Sequence, residues 1–472
     1  MAITVEQDVA YKEMPAGTDW VFTISSTNYA GNYKFKYIAD LWIDVGNPGA
    51  LSIRLKFSPN STGNGIIDIS KILEQYVSSD NLGCRAGGTA SSFKGTDFAG
   101  GTEHPIQLID KLSLSTNNVK RLTIRWGEEY SPNDTDAPTE YPNVYTSSNY
   151  LFWNAVAYNN EQSLVSGEYG INLKDWNNNN YINNGDLTNV LTDASADKQY
   201  IGDYEYATLS VLNGYFPSLS DGSDFYKLKI FFYEEDGSYI SNEQFTNADT
   251  NGGYYGAGDS ALTDGSKHLL TIGVGTANMR GAGITIPANW GYYIIKLLDS
   301  SSDDCIKHYR YDKRNTDCKG FEKIRLTWLN KYGVWDYYTF TKKNTRSTNI
   351  TRAEYSKIKG NWNGATFSKY GFNRGRGVLS TSATETMSLN SDWFANDEEA
   401  AWIEQLFISP EVYILNDYDF SDYGVTGAEY GKYLTPVIIT SKNYDRYSRA
   451  NDKVAQYEIE LEYSINKRVQ RA

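Results

Sequence analysis

A chain of 472 residues has room for three domains, each large enough to bury a core without disulfides. Its formal net charge of −14 argues against a nucleic-acid or anionic-membrane partner, since either needs a basic face. Aromatics make up 14% of residues, led by 39 Tyr, and 40 Gly with clustered Asn supply turns, so short strands are expected rather than a helical bundle.

The opening MAITVEQDVAYKEMPAGTDW lacks a basic segment followed by an apolar one, so no secretory signal is read there. No run approaches the ~18 consecutive apolar residues of a membrane span. The expectation is synthesis in a cytoplasm, with exit, if any, inside a particle or by lysis.

In chain order, Val21–Ser26 alternates apolar and polar residues. Asn32–Ile43 does so over a longer run, placing Phe35, Tyr37, Ala39, Leu41 and Ile43 on one face. Leu51–Phe57 alternates again, with Leu51, Ile53, Leu55 and Phe57 together. Ile66–Ile69 leads into a short helix for which Ser70 is the expected N-cap. Residues 78–105 are rich in Gly, Ser and Thr and read as a long loop, and Val119–Trp126 as a strand. Ser131–Tyr150 is polar, carries Pro132, Pro138 and Pro142, and reads as the end of a first domain.

Beyond it, Tyr206–Leu212, Phe225–Tyr233, His268–Val274 and Tyr292–Leu298 read as strands, and Glu234-Glu235-Asp236-Gly237 as a hairpin turn. Glu322–Trp328 and Trp335–Phe340 flank a second turn, Asn330–Gly333. A helix is expected from Asn396, its cap, with Asp397, Glu398 and Glu399 in the first turn and Trp402, Ile403, Leu406 and Phe407 as its apolar face; Ser409-Pro410 stops it. Glu411–Leu415, Pro436–Thr440 and Gln456–Tyr463 complete the strands. The expected fold is mainly β: antiparallel β-sandwich or barrel modules over 1–150 and 151–312, and a β-sandwich flanked by one helix over 313–472.

The search for chemistry turns up no catalytic constellation. His104, His268 and His308 are scattered without metal-ligand spacing, and no GxSxG, P-loop or strand-linked GxGxxG is present. Cys84, Cys305 and Cys318 read as free thiols rather than a disulfide framework, although Cys305 and Cys318 are spaced for a hairpin bridge. No catalytic, cofactor-binding or metal residue is therefore assigned, and an enzyme is not expected. One segment, Asp175 to Asp186, places acids or amides at loop positions 1, 3, 5, 9 and 12, as in a calcium loop, with Asn180 where Gly is usual. An Asn-rich β-turn is its plainer reading. The run Arg374-Gly-Arg376-Gly suits either a solvated turn or an anionic contact.

Several stretches, SSTNYAGNYKFKYIADLWI with LSIRLKFSPNSTGNGIIDISKILEQYV, then CKGFEKIRLTWLNKYGVWDYYTF, then WIEQLFISPEVYIL, LTPVIITSKNY and QYEIELEYS, resemble virion proteins of tailed phages that infect Bacteroidota. The hairpin, helix and returning strands of 313–472 resemble the tail-tube-like β-sandwich module of tube, distal-tail and baseplate-hub proteins. The resemblance implies a non-enzymatic tail or baseplate structural protein located in the virion. It implies self-assembly as a ring or trimer, and other tail proteins as partners. The Lys331–Phe340 hairpin and the Asp417–Tyr433 excursion are the expected contact elements. The alternative is a carbohydrate- or receptor-binding adhesin or tail fibre protein, whose Tyr and Trp stack on a host surface glycan.

Overall fold

The structure, a computed structural model, describes residues 3–9, 13–43, 50–79, 113–114, 117–156, 190–212, 227–246, 269–281, 284–298, 302, 304, 307–314, 321–394, 397–415, 434–444, 455–465 and 467–468. The fold is mainly β, in several largely antiparallel sheets. It divides into two compact units. Met1–Asn315 and the turn Leu329–Asp336 belong to the first; Thr316–Trp328, Tyr337–Asn416 and Lys432–Ala472 form the second.

In the first unit, a three-stranded sheet orders β1 (Ile3–Gln7), β3 (Val21–Ser26) and β6 (Gly65–Asp68). A five-stranded sheet orders β2 (Glu13–Pro15), β9 (Thr139–Trp153), β8 (Val119–Ser131), β4 (Tyr33–Ile43) and β5 (Ile53–Phe57). Alternation dictates what they share: Phe22 and Ile24 of β3 meet Phe35, Tyr37, Ala39, Leu41 and Ile43 of β4 in one core. Trp20, Trp126, Tyr150 and Phe152 thicken it with edge-on ring contacts such as Trp20–Tyr150 at 6.0 Å and 84°. Five further strands, β10 (Gln199–Ile201), β16 (Tyr309–Lys313), β15 (Tyr292–Leu298), β12 (Lys227–Tyr233) and β13 (Tyr239–Thr246), make another sheet in that order. A smaller one joins β11 (Thr208–Leu212), β14 (Leu269–Gly273) and β7 (Ser113–Leu114). Among the described residues two pairings are parallel, β2 with β9 and β10 with β16.

The polar, proline-bearing stretch 131–150 is mostly strand: β9, of 15 residues, covers Thr139–Trp153. Pro142 is tolerated because it falls in a bulge, between the pairs Glu128↔Tyr141 and Trp126↔Tyr145, where the ladder asks for no N–H. Ser70 is not the cap of α1 (Ser70–Leu73) but its first residue; the Asp68 carboxylate accepts from the Ser70 N–H at 2.9 Å.

In the second unit, one eight-stranded sheet runs β18 (Trp335–Phe340), β17 (Ile324–Leu329), β21 (Val412–Leu415), β22 (Leu434–Ile439), β23 (Glu458–Tyr463), β20 (Arg376–Asn390) and β19 (Asn344–Ser356), with β24 (Lys467–Arg468) also on β20. A short helix, α2 (Thr276–Gly281), belongs to the first unit, and α3 (Asp397–Ile408) to the second. The first turn of α3 holds Asp397, Glu398 and Glu399, as the helix dipole favours; Asn396 lies outside the described residues. Trp402, Ile403 and Leu406 are buried, and Trp402 meets Trp328 of β17 at 5.4 Å.

The turn between β17 and β18 is set by Asn330 and Gly333. Asn330 Oδ1 accepts from the Tyr332 and Val334 N–H groups at 2.9 and 3.2 Å, while its Nδ2 donates to Leu191 O and to Asp336, each at 3.0 Å. Gly333 has φ +75°, and a Cβ there would lie 1.7 Å from Asn154 O, so no other residue fits. Replacing Asn330 by Ala is expected to cost about 3 kcal/mol, because two buried N–H groups lose their acceptor. Chemical denaturation checks this, and a loss below about 1 kcal/mol would contradict it.

Tyr37 is fully buried and its hydroxyl donates to Gly63 O at 2.7 Å. Burial, reinforced by the Glu128 carboxylate, pushes its pKa up to about 12. The unfolded chain ionises this tyrosine near pH 10, so the contribution is complete below about pH 10 and is lost as pH rises through the folded value. Stability is expected to fall above about pH 10 with a slope of up to about 1.4 kcal/mol per pH unit from this group. Denaturation of the wild type and Tyr37→Phe against pH checks it; equal slopes would contradict it.

Candidate functional site

The longest strand pair in the second unit is built from polar sequence. NTRSTNITRAEYS and RGVLSTSATETMSLN pair antiparallel from Asn344↔Leu389 to Ser356↔Arg376. Thr and Ile suit extended backbone, but nearly every β19 side chain faces water. At ~3.4 Å per residue, the 13 residues of β19 span roughly 44 Å. Among the described residues only the root is embedded: β20 pairs with β23 over Thr386–Asn390 and with β24 at Ser382 and Ala383. From Thr381 outward, the described residues form a two-stranded ribbon. A bulge at Ala353/Glu354 turns its edge, and the Tyr355 ring lies over Gly377, its cross-strand partner.

The ribbon ends in an ordered tip over 357–375. Lys357 N–H donates to Gly375 O at 2.8 Å, and Asn361 and Ser368 exchange backbone bonds of 2.8 and 3.1 Å. Gly360 takes φ +97°, where a Cβ would lie 2.6 Å from Ser368 O. The tip carries two stacked aromatic pairs: Trp362 on Phe367 at 5.1 Å and 12°, and Tyr370 on Phe372 at 5.2 Å and 3°. Trp362 Nε1 donates to Lys359 O at 2.8 Å, which fixes the indole. Those four rings and Ile358 are 55–79% exposed, unlike any core aromatic of the chain.

The charge of this segment opposes that of the whole. Residues 344–390 hold seven Lys or Arg against Glu354 and Glu385, a net of +5. The remaining residues carry −19, since the chain totals −14. Arg376 pairs with Glu354 and Arg346 with Glu322. Among the described residues no ion pair engages Lys357, Lys359, Lys369 or Arg374.

The residues singled out from sequence fall differently. Arg374 is exposed at the base of the tip, and Arg376 opens β20. The Lys331–Phe340 hairpin, expected to meet a partner, is largely buried in its own chain. Its turn is anchored by Asn330, and the Tyr332 hydroxyl donates to Asp193 at 2.6 Å. His308 is partly exposed and bonds Asp304 at 2.8 Å through Nε2. His104, His268, Cys84, Cys305, Cys318, the Asp175–Asp186 segment and Asp417–Tyr433 lie outside the described residues. Among the described residues no group of three or more His, Cys, Asp or Glu is placed to hold a metal. The closest approach to a carboxylate cluster, on the five-stranded β2–β5 sheet, is an ion-pair ladder. Arg54 binds Asp40 at 2.6 and 2.8 Å, Lys56 bridges Glu129 and Glu140, and Glu128 accepts from Ser26 Oγ at 2.6 Å. Hydrogen bonding to Lys56 holds the Glu140 carboxyl below its ordinary range.

No protein-family model matches the chain, and no curated protein does. Among solved structures, trypsin-activated α2-macroglobulin from Escherichia coli is 8% identical, at a TM-score of 0.17 over 83% of this chain and 19% of that one. A Salmonella α2-macroglobulin mutant is also 8% identical, at 0.17 over 97% and 23%, and the Bacillus anthracis TIE protein is 6% identical, at 0.12 over 82% and 69%. The chain thus spans about a fifth of the α2-macroglobulins, and similarity at these scores carries no inference about fold or activity.

Exposed rings that serve a partner contribute little to the fold that displays them. Trp362→Ala and Phe372→Ala are each expected to leave unfolding free energy within about 0.5 kcal/mol of wild type. A loss of more than about 2 kcal/mol in chemical denaturation would place the rings in a core instead.

Proposed function

We propose that this chain is a non-enzymatic structural protein of a tailed-phage virion, a tail or baseplate component that assembles as a homo-oligomer. The observation that carries the reading is the β19–β20 ribbon with its ordered aromatic tip. Isolated two-stranded ribbons are marginal in water, and a long exposed edge invites a further strand or covering surface. Apolar rings held rigid at such a tip cost solvation without repaying it in the monomer, and contact with another subunit repays it. The helix-backed sheet of the second unit suits the tail-tube-like module that the sequence resembles, by analogy of architecture. The absence of catalytic motifs from the sequence favours a structural role over an enzymatic one.

A second reading, a glycan-binding adhesin, draws on the exposed rings of Trp362 and Tyr370 beside Asn361, Asn363 and Asn373. It is less favoured because the stacked pairs Trp362–Phe367 and Tyr370–Phe372 already cover one face of each ring.

Light scattering and negative-stain microscopy of the purified chain over a concentration series test the proposal. Closed rings or trimers are expected, and replacing Lys357–Gly375 by a two-residue Asn-Gly turn should leave a folded monomer. A wild-type monomer at every concentration, with signal on a glycan array, would transfer the assignment to the adhesin reading.

A further inference from the structure

We infer that the ribbon of one copy docks on the outer face of β23 in a second copy, by pairing its basic tip with Glu458, Glu460 and Glu462. The inference rests on the homo-oligomer reading and names the surface that receives the arm.

The face follows from the register of the sheet. In β23, Ile459 and Leu461 are fully buried, on the side that also holds Tyr457, whose hydroxyl donates to Glu404 of α3 at 2.6 Å. Alternation sends Glu458, Glu460 and Glu462 to the opposite side. Their cross-strand neighbours there are Asn390, Ser388 and Thr386 of β20, and Ile438 of β22 sits beside Glu462. Ile438 is 58% exposed, a large apolar side chain at the rim of an acidic row. Ser388 Oγ donates to Glu458 at 2.7 Å, and among the described residues no ion pair engages the three glutamates.

Donor and acceptor are complementary in charge and in apolar content. The tip offers Lys357, Lys359, Lys369 and Arg374 around Ile358 and four rings; the face offers three carboxylates beside Ile438. The chain's excess of −19 outside the arm makes another copy the acidic surface always at hand during assembly. The arm does not serve its own face by this route, because the ribbon continues along the strand direction, away from the sheet that roots it. The contact is therefore heterologous, arm to face, and repeats from copy to copy until a ring closes.

Sedimentation velocity of the full chain tests this with two charge-reversed forms. One carries Glu458→Lys, Glu460→Lys and Glu462→Lys; the other carries Lys357→Glu, Lys359→Glu, Lys369→Glu and Arg374→Glu. Six of the seven positions are exposed and Glu462 is half-buried, and circular dichroism melts verify that each form folds. Each form alone is expected to raise the concentration needed for assembly by about tenfold or more. An equimolar mixture is expected to assemble again, into open chains or even-numbered rings, since each arm then faces the opposite charge on the other form. If the wild type assembles and the reversed face changes nothing, the acceptor is wrong while the homo-oligomer reading stands. If the wild type never assembles, both fall. Arm-dependent binding of the monomer to phosphatidylserine vesicles or single-stranded DNA would then assign the arm to a polyanion.

Discussion

Backbone polar groups at a strand edge need a partner, and among the described residues β19 presents a 13-residue edge paired on one side only, with β20. Water satisfies those groups in the monomer, so the ribbon can be displayed, but it gains no burial of its own. Its order depends on the root, where Met387 and Leu389 of β20 are buried opposite Leu461 and Ile459 of β23. The helix α3 seals that side of the sheet with Trp402, Ile403 and Leu406. Over β20 and β23 one face of the sheet is thus a packed core and the other is left to charged and hydroxyl side chains, whereas β17 and β18 are buried on both faces. The arm and its proposed acceptor both belong to this open-faced end of the sheet.

The first unit solves the burial problem differently. Its sheets share a core of large rings, where Trp20, Phe22, Trp126, Tyr150 and Phe152 meet edge-on or tilted. The outer side of the β4–β5–β8–β9 region carries the Arg54 and Lys56 ladder, so its carboxylates are compensated by neighbouring strands. That arrangement pairs Asp40, Glu129 and Glu140 within the chain. The tip of the ribbon is the contrast, with its lysines and rings both turned to solvent.

Much of the fold was legible in the sequence because alternation reports one-sided burial. Val21–Ser26, Tyr292–Leu298 and Trp335–Phe340 run between the residues read from pattern, and the Asn330–Gly333 turn and the 397–408 helix stand where their turn and first-turn residues put them. The ribbon was missed for the same reason. Both of its faces lie in water, so NTRSTNITRAEYS has no apolar period to detect, and Ser, Thr and Asn read as loop. β9 escapes the pattern because Pro142 interrupts it, whereas a bulge removes the need for its N–H. The basic arm was hidden by averaging: a net of −14 conceals +5 in 47 residues, 344–390, and aromatic content alone does not separate core rings from displayed ones.

Hydrogen–deuterium exchange of the full chain, followed by mass spectrometry at low and high protein concentration, tests most directly that the ribbon is an intermolecular element. Peptides from 344–390 are expected to exchange quickly when dilute and to become protected when concentrated. Peptides covering β23 should gain protection in parallel, and those of the first-unit core should not change. Exchange in 344–390 that is independent of concentration, in a sample shown to be oligomeric, would contradict the account and place the subunit contact elsewhere.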